Sequence, residues 1–505
     1  MVDDFNDDYG VAPDGHRLTD TGNAYRFISH SEGRVRYVNK WGRWIVYRGG
    51  RWIVDANDAL VTEVAKKVAR NLMSMAPALG GEMRDKVYKA AMRAESAGAI
   101  AAMIQLARGI DGVIVEHEDL DADPYILNCL NGTVDLRTGE LLDHDPADLC
   151  TQQCPVGYDP EAIAPLWEKC LLRWQPDHVV REYLQREAGA GACGRQTETL
   201  SIHYGQGGNG KSKFFGAVQR VLGPYTVVPH KSLIIATKHE QHSTVIASLF
   251  RVRLAVASET SERDWLNESQ VKNLTGGDRL SARRMREDEW EFNPTHTLVM
   301  FSNHRPEIRG TDEGMWRRVR LISWDVTIPV AERDEDLARK LANEASGILR
   351  WIVEGCMRYL SVGIIAPECI VASTADYRAG EDTVSRFIVD LGIVFERNSS
   401  LPSLELRTAH DEWCVDNGVA PAGHWKRVAA ELTKRGAKAG RAHGSRHWSG
   451  INFRKPDLDQ NVSRVSPVPV GPCESEISRE SGTPVTRVTL SMDKPTIRTF
   501  AESEF

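Results

Sequence analysis

The residues Gly205 to Ser212, GQGGNGKS, hold the most specific chemistry in the chain. They fit G-x4-G-K-[ST] without a mismatch. Gly205, Gly207, Gly208 and Gly210 allow the backbone to curl so that successive N–H groups face one centre, with Gln206 and Asn209 completing the loop. A helix starting directly after the loop aims its positive end at the same point. In such a loop Lys211 reaches the β- and γ-phosphates of a nucleotide and Ser212 holds Mg²⁺, so ATP and Mg²⁺ are the expected ligands. Two further polar residues close apolar runs. Glu259 ends FRVRLAVASE, where it could polarise water and help hold the metal, and Asn303 ends HTLVMFSN, where it could sense the terminal phosphate. The plainer readings are a solvated strand end for Glu259 and a turn or cap for Asn303. Many nucleotide hydrolases carry Asp before this Glu; here the residue is Ser258.

The elements that must position these residues follow from periodicity. Leu200, Ile202 and Tyr204 alternate as a buried strand does, and Phe214, Phe215, Val218, Val221 and Leu222 recur at helical spacing. Phe250 to Glu259, His296 to Asn303 and Arg318 to Trp324 are apolar runs long enough for fully buried parallel strands, with helices fitting the intervals. The expected fold is a doubly wound α/β core with its ligand at the carboxyl ends of the strands. Upstream, Arg36 to Asp55 predicts a hairpin around Gly49-Gly50 bearing Trp41, Trp44 and Trp52, which are core and rim residues or a platform for bases. Ala59 to Arg108 predicts two or three helices, and Asn128 to Leu142 a short hairpin. Trp167 to Ala188 and Leu337 to Leu360 read as helical, and Pro367 to about Gly380 as a connector.

The chain has 505 residues, enough for two to four domains, and a formal charge of -7, so any nucleic-acid contact must come from local patches. One such patch is Lys272, Arg279, Arg283, Arg284 and Arg286, followed by Glu287, Asp288, Glu289 and Glu291, which suits a hairpin with charged faces or a solvated loop. The other runs from Ala420 to Lys455, with nine Lys or Arg, including Lys426 and Arg427, against one acid, Glu431. No run of about 18 apolar residues predicts a membrane span. The acidic start MVDDFNDDYG lacks a signal-peptide pattern, and nine scattered cysteines suit reduced thiols in a cytoplasm. Cys150 and Cys154, and His239 and His242, lack the partner sets of a metal site and read as ordinary residues.

The order GQGGNGKS, VASET, KNLTGGDRLSAR, FSNHRP and WRRVR resembles the superfamily 3 helicases of the phage, plasmid and poxvirus primase-helicase branch. DPYILNCLNGTVDLRTGEL and WGRWIVYRGGRW are similar to the helical and hairpin domain that precedes the motor there. The resemblance implies an AAA+-like P-loop motor in a hexameric ring of identical subunits, acting on single-stranded and forked DNA in a bacterial cytoplasm, with an initiator or primase as partner. It implies the helical/hairpin domain over 21–195, the ATPase over 196–365 and a winged-helix-like DNA-binding domain over 380–453, while polar composition predicts disorder over 1–20 and a largely disordered tail over 454–505. It makes Lys211 and Ser212 the Walker A residues, Glu259 the Walker B carboxylate, Asn303 the sensor, Lys272 to Arg286 the DNA-contacting hairpin, and Arg318, or failing it Arg317, the arginine finger. Longer members carry an N-terminal primase domain, for which the roughly 120 residues before Asp121 are too few. The reading is therefore a DNA helicase, with a primase-helicase and an ATP-regulated, non-enzymatic initiator as its rivals.

Overall fold

The computed structural model describes residues 10–236, 243–258, 265–283, 289–310, 312–442 and 445–454. The N-terminal unit comprises α1 (Asp20–His30), β1 (Val35–Val38), β2 (Arg43–Arg48), β3 (Arg51–Asp55), α2 (Ala59–Met75), α3 (Gly81–Ala94), α4 (Ala97–Ala107) and β4 (Ile114–Val115). The strands form one sheet in the order β3-β2-β1-β4. The predicted hairpin turns at Gly49 and Gly50, both at positive φ, 61° and 77°, as a two-residue turn of this hand requires. Trp44 and Trp52 are fully buried, with Trp44 edge-on to Phe27 and Tyr37 and Trp52 edge-on to Tyr47. These two rings are core, which removes them from the base-stacking reading. The expected disorder over 1–20 is also corrected for residues 10–20. Asp14 pairs with the buried Arg26 at 2.6 Å, and Arg26 also donates to the carbonyls of His16 and Arg17. An arginine this deep needs the preceding segment wrapped around it.

Next come a three-stranded meander, β5 (Ile126–Cys129), β6 (Gly132–Asp135) and β7 (Glu140–Leu142), and two helices, α5 (Pro165–Trp174) and α6 (His178–Ala190). The central unit continues with β8 (Leu200–Tyr204), α7 (Lys211–Leu222), β9 (Thr226–Val227), α8 (Ser243–Ala247), β10 (Leu254–Ser258), α9 (Glu268–Leu274), β11 (Leu280–Arg283), β12 (Glu289–Phe292), β13 (Thr297–Ser302), α10 (Glu313–Trp316), β14 (Val319–Ser323), α11 (Leu337–Asn343), α12 (Ala345–Val362) and α13 (Glu368–Glu381). Its five-stranded sheet runs β14-β8-β13-β10-β9, and every pairing is parallel. The chain leaves β8 for the far edge, returns through β10 and β13, then crosses to β14 on the other side of β8. The carboxyl end of β8 is thus where the winding changes direction, the usual ligand position in an open α/β sheet.

Packing moves two expected boundaries. One hydrophobic cluster joins Leu127, Val134, Trp167 and Leu184 to Phe214, Val256, Ile322 and Ile352, so the meander, α5 and α6 share the core of the parallel sheet. The clusters of residues 12–120 lie apart from it, with Leu149 the exception at their edge. The division therefore falls near residue 120 rather than 195. The expected connector after Pro367 is instead α13, a helix lying on β14. Its Tyr377 is buried, and Thr374 Oγ1 accepts from the Leu321 amide at 2.9 Å.

The C-terminal unit is α14 (Thr383–Asp390), β15 (Ile393–Pro402), α15 (Ser403–Asp416), α16 (Pro421–Lys434), β16 (Lys438–Ala442) and β17 (Ser445–Phe453). Its antiparallel sheet has the order β15-β17-β16, and three helices cover it around Phe387, Leu406, Val428 and Ile451. No helix among the described residues is long and apolar enough to cross a membrane.

The tightest helix crossing is α6 on α12. A Cβ at Gly355 would lie 2.1 Å from the Gln185 carbonyl, and one at Gly189 2.1 Å from the Cys356 amide. Backbone on both sides leaves no flexible atom to yield. Gly355→Ala is therefore expected to destabilise by about 1–3 kcal/mol. Gly216→Ala, mid-helix in α7 with open space around it, should gain about 0.5–1 kcal/mol. Denaturant titration of the two variants checks this; equal stability of both would contradict the packing.

Candidate functional site

The glycine loop lies between β8 and α7 at the carboxyl edge of the parallel sheet. Gly207, Gly208 and Gly210 adopt φ of 94°, 62° and 93°. Gly210 is doubly constrained, because a Cβ there would lie 2.3 Å from the Trp174 ring. Gly205 is needed for a different reason: its Cβ would lie 2.4 Å from the Trp324 carbonyl. Below the loop, Lys211 begins α7 with only 3% of its surface exposed. Its Nζ donates to the Gly205 carbonyl at 2.5 Å and to Asn209 Oδ1 at 3.1 Å, and stands 3.5 Å from Asn303 Oδ1. All three acceptors are neutral. Burial without a carboxylate pulls the ammonium down to about 8. The site so held is a desolvated cation, a left-handed loop and the first turn of a twelve-residue helix, an arrangement that suits a polyanion.

A buried chain of polar contacts fixes the loop from beneath. Asn209 Nδ2 donates to the Trp324 carbonyl at 3.0 Å, and Trp324 Nε1 donates to His203 Nδ1 at 3.1 Å. Since His203 Nδ1 accepts, its proton sits on Nε2, which lies 2.8 Å from Glu187 Oε2. Helix α6 thereby helps to set the position of Asn209, one of the groups that orient Lys211.

Ser212 is exposed in the first turn of α7, as is Gln206 at the loop tip. Asn303 directly follows β13 and reaches Lys211, as the strand-end reading expects. Glu259 lies outside the described residues. The strand before it ends at Ser258, in register with Phe301, while Ser302 is in register with Tyr204, so the three strand ends are level. Arg318 does not fit the role expected of it. Its side chain is 9% exposed, and Nη1 donates to the Gly314 carbonyl at 2.6 Å within its own chain. Arg317 is exposed at the same helix end. A side chain that reaches a neighbour must be exposed, as Arg317 is and Arg318 is not.

Of the residues from Lys272 onward, Lys272 lies on α9, and a pair of antiparallel strands follows at Leu280. β11 pairs with β12, with Ser281 opposite Glu291 and Arg283 opposite Glu289; Arg284 and Arg286 lie outside the described residues. Much of the expected basic charge is already matched. Lys272 is 2.6 Å from Asp312, and Arg279 3.6 Å from Glu291. On α16 Lys426 is exposed, whereas Arg427 donates to the Arg309 carbonyl of the central unit at 3.2 Å, so this second candidate serves a domain contact.

The sequence reading missed Arg333. Its guanidinium lies over the loop, where a Cβ on Gly208 would come within 2.4 Å of Nη2. The Gly208 carbonyl accepts from the Ile328 amide at 2.8 Å, which ties the segment after β14 to the loop. The local sequence VAERDEDLARK gave no hint, because an arginine among acids reads as a solvated face.

A family described as D5 N terminal like matches residues 24–176, and a family of unknown function, DUF5906, matches 203–318. A candidate helicase of Acanthamoeba polyphaga mimivirus is 24% identical over 420 residues, covering 75% of this chain and 44% of that protein. A candidate primase of African swine fever virus is 25% identical, covering 59% of this chain and 34% of the relative. A candidate helicase of Invertebrate iridescent virus 6 is 28% identical, covering 43% and 24%. The chain thus spans less than half the length of these curated relatives. The apo C-terminal region of NrS-1 aligns with a TM-score of 0.47 at 12% identity, over 85% of this chain and 99% of that one. The D5-type match upstream of the glycine loop and the viral helicase- and primase-named relatives along the same stretch support placing the chain with the phage and viral primase-helicases, at low identity.

Proposed function

We propose that this chain is an ATP-hydrolysing DNA translocase of the superfamily 3 type, working as a ring of identical subunits during replication of a mobile or viral genome. The observation that carries the reading is Lys211, buried beneath a left-handed glycine loop with Asn303 at 3.5 Å. A cation held away from water against neutral oxygens interacts strongly with an arriving phosphate. In this reading the loop amides and the α7 N-terminus hold the phosphates. Lys211 neutralises the β- and γ-oxygens, Asn303 orients the attacking water, and Glu259 draws its proton. Ser212 and Glu259 would hold Mg²⁺, which would supply positive charge to offset the charge that develops in transfer. Arg333, over Gly208, adds a cation from the same subunit, and Arg317 one from the neighbour. The β11–β12 hairpin is the DNA-contacting element, and the C-terminal helices and three-stranded sheet are a winged-helix-like module for auxiliary duplex contact. A primase activity is the second reading, favoured by the relatives named as candidate primases; primer synthesis on a single-stranded template separates it from a motor alone.

Lys211→Ala is expected to abolish hydrolysis, and Glu259→Gln to keep nucleotide binding but stop turnover. Near-parental turnover by Glu259→Gln would reject the assignment of the base. Binding should also depend on pH with a defined sign. Bound phosphate requires the ammonium, whereas the free chain holds Lys211 near about 8. As pH rises above that value, binding must also take up a proton, so nucleotide affinity should fall by up to about tenfold per pH unit. Lys211→Arg should flatten this slope, which titration of a labelled nucleotide from pH 7 to 9.5 would reveal.

The trans arginine is tested by mixing. Arg317→Ala alone should lose about 10³-fold or more in turnover. Combined in one ring with Lys211→Ala subunits, some sites pair an intact loop with an intact Arg317, and activity should return with a maximum near equal proportions. Mixed rings that form but stay inactive would exclude Arg317 as a group acting between subunits.

A further inference from the structure

We propose that His410, Cys414 and His424 form a binding site for one zinc-class divalent cation in the C-terminal unit. Among the described residues they are the one group of three or more such side chains that converges with donor atoms within 4.8 Å of one another. His410 and Cys414 are four residues apart on one face of α15, and His424 comes from the first turns of α16. All three are buried, at 0%, 0% and 1% exposure, in a core otherwise built from Phe387, Leu406, Trp413, Val428 and Leu432. Three polar groups in an apolar core need a reason to be there, since each costs desolvation that an apolar side chain would not.

The distances suit a metal. Tetrahedral Zn²⁺, with Zn–N of about 2.0–2.1 Å and Zn–S of about 2.3 Å, sets N···S separations of about 3.6 Å and N···N of about 3.3 Å. Cys414 Sγ lies 3.4 Å from His410 Nε2 and 3.7 Å from His424 Nδ1, and the two nitrogens are 2.9 Å apart. The last separation is that of a hydrogen bond, which a cation would widen slightly.

The outer shell is also in place. His410 Nδ1 lies 2.9 Å from Asp411 Oδ1, so its proton sits there and Nε2 presents a lone pair to the cluster. A carboxylate behind a ligating imidazole is the common arrangement at protein metal sites. Without a cation, His424 Nδ1 must donate to His410 Nε2, and its own Nε2 is then a bare, buried acceptor, a nitrogen left without a hydrogen-bond partner. With a cation, Nδ1 becomes the ligand and the proton moves to Nε2. Cys414 gives up its proton to solvent as it binds. The edge of Trp425 against His410 and the stacked face of Trp413 against His424 shield the site, so the metal enters as the unit folds. Three protein donors leave the fourth position to water or to a group from outside the chain. The bond would pin α15 to α16, the helix that carries Lys426.

The test uses the full chain. After purification without chelator, elemental analysis should find about one zinc per chain. Replacement with Co²⁺ should give a thiolate-to-cobalt absorption band together with d–d bands of a low-symmetry site. Cys414→Ala should lose the charge-transfer band, while Cys369→Ser, at an exposed cysteine, should keep it. The Asp411 side chain is 47% exposed, so Asp411→Asn should fold and weaken Co²⁺ binding about tenfold to a hundredfold. A folded parental chain that takes up neither Zn²⁺ nor Co²⁺ at stoichiometric metal would overturn the proposal, as would a cobalt spectrum unchanged by Cys414→Ala.

Discussion

The structure around the glycine loop depends on keeping one ammonium group out of water with no carboxylate in contact among the described residues. Lys211 donates to two neutral oxygens, from Gly205 and Asn209. Such a group is stable only where the backbone is fixed closely enough to offer those oxygens at bonding distance. The parallel sheet supplies this. β8 lies between β13 and β14, is paired along its length on both sides, and cannot shift without breaking two ladders. The aromatic wall supplies the rest: Trp174 closes on Gly210, and the Trp324 carbonyl holds Asn209. A cation prepared in this way loses little further hydration when an anion arrives, and preorganised charge of this kind is effective in catalysis.

The same constraint explains why elements outside the motif matter. Glu187 on α6 faces His203, and His203 accepts from Trp324, so a helix that precedes β8 in sequence contributes to the geometry of the loop that follows it. The close contact of α6 with α12 through Gly189 and Gly355 holds that helix in place. This is why residues 126–190 pack as part of the central unit. Arg253 reinforces the link, donating to the carbonyls of Ala192 and Ile126 while its guanidinium lies 4.5 Å from the Tyr225 ring centre.

The legible parts of this chain were those specified by nearby residues. The glycine loop, the apolar strands, the Gly49-Gly50 hairpin and the helices of 59–108 each carry their own local pattern. What escaped depends on partners distant in sequence. α13 has few strongly apolar residues, so its fourteen residues read as a connector, yet Ile370 in one core cluster and Tyr377 in the other are enough to dock it on β14. Arg317 and Arg318 are adjacent and chemically identical, and only the burial of one against Gly314 separates them. The disorder expected at 10–20 failed because polar composition cannot reveal that Asp14 faces Arg26. Cys414 drew no attention in the sequence, because its two histidine partners converge only once α15 and α16 fold together.

Charge shows the same dependence on pairing. The segment Lys272 to Arg286 reads as a basic patch, but sheet register sets Arg283 opposite Glu289, and Arg279 has Glu291 at 3.6 Å. Lys272 is matched by Asp312 at 2.6 Å. Exposed pairs such as these contribute little to stability, yet each acid weakens the field its cation presents to a polyanion. In a chain of net charge -7, attraction for a phosphate backbone then rests on the few cations whose acidic neighbours lie elsewhere, and on bringing several of them to one place.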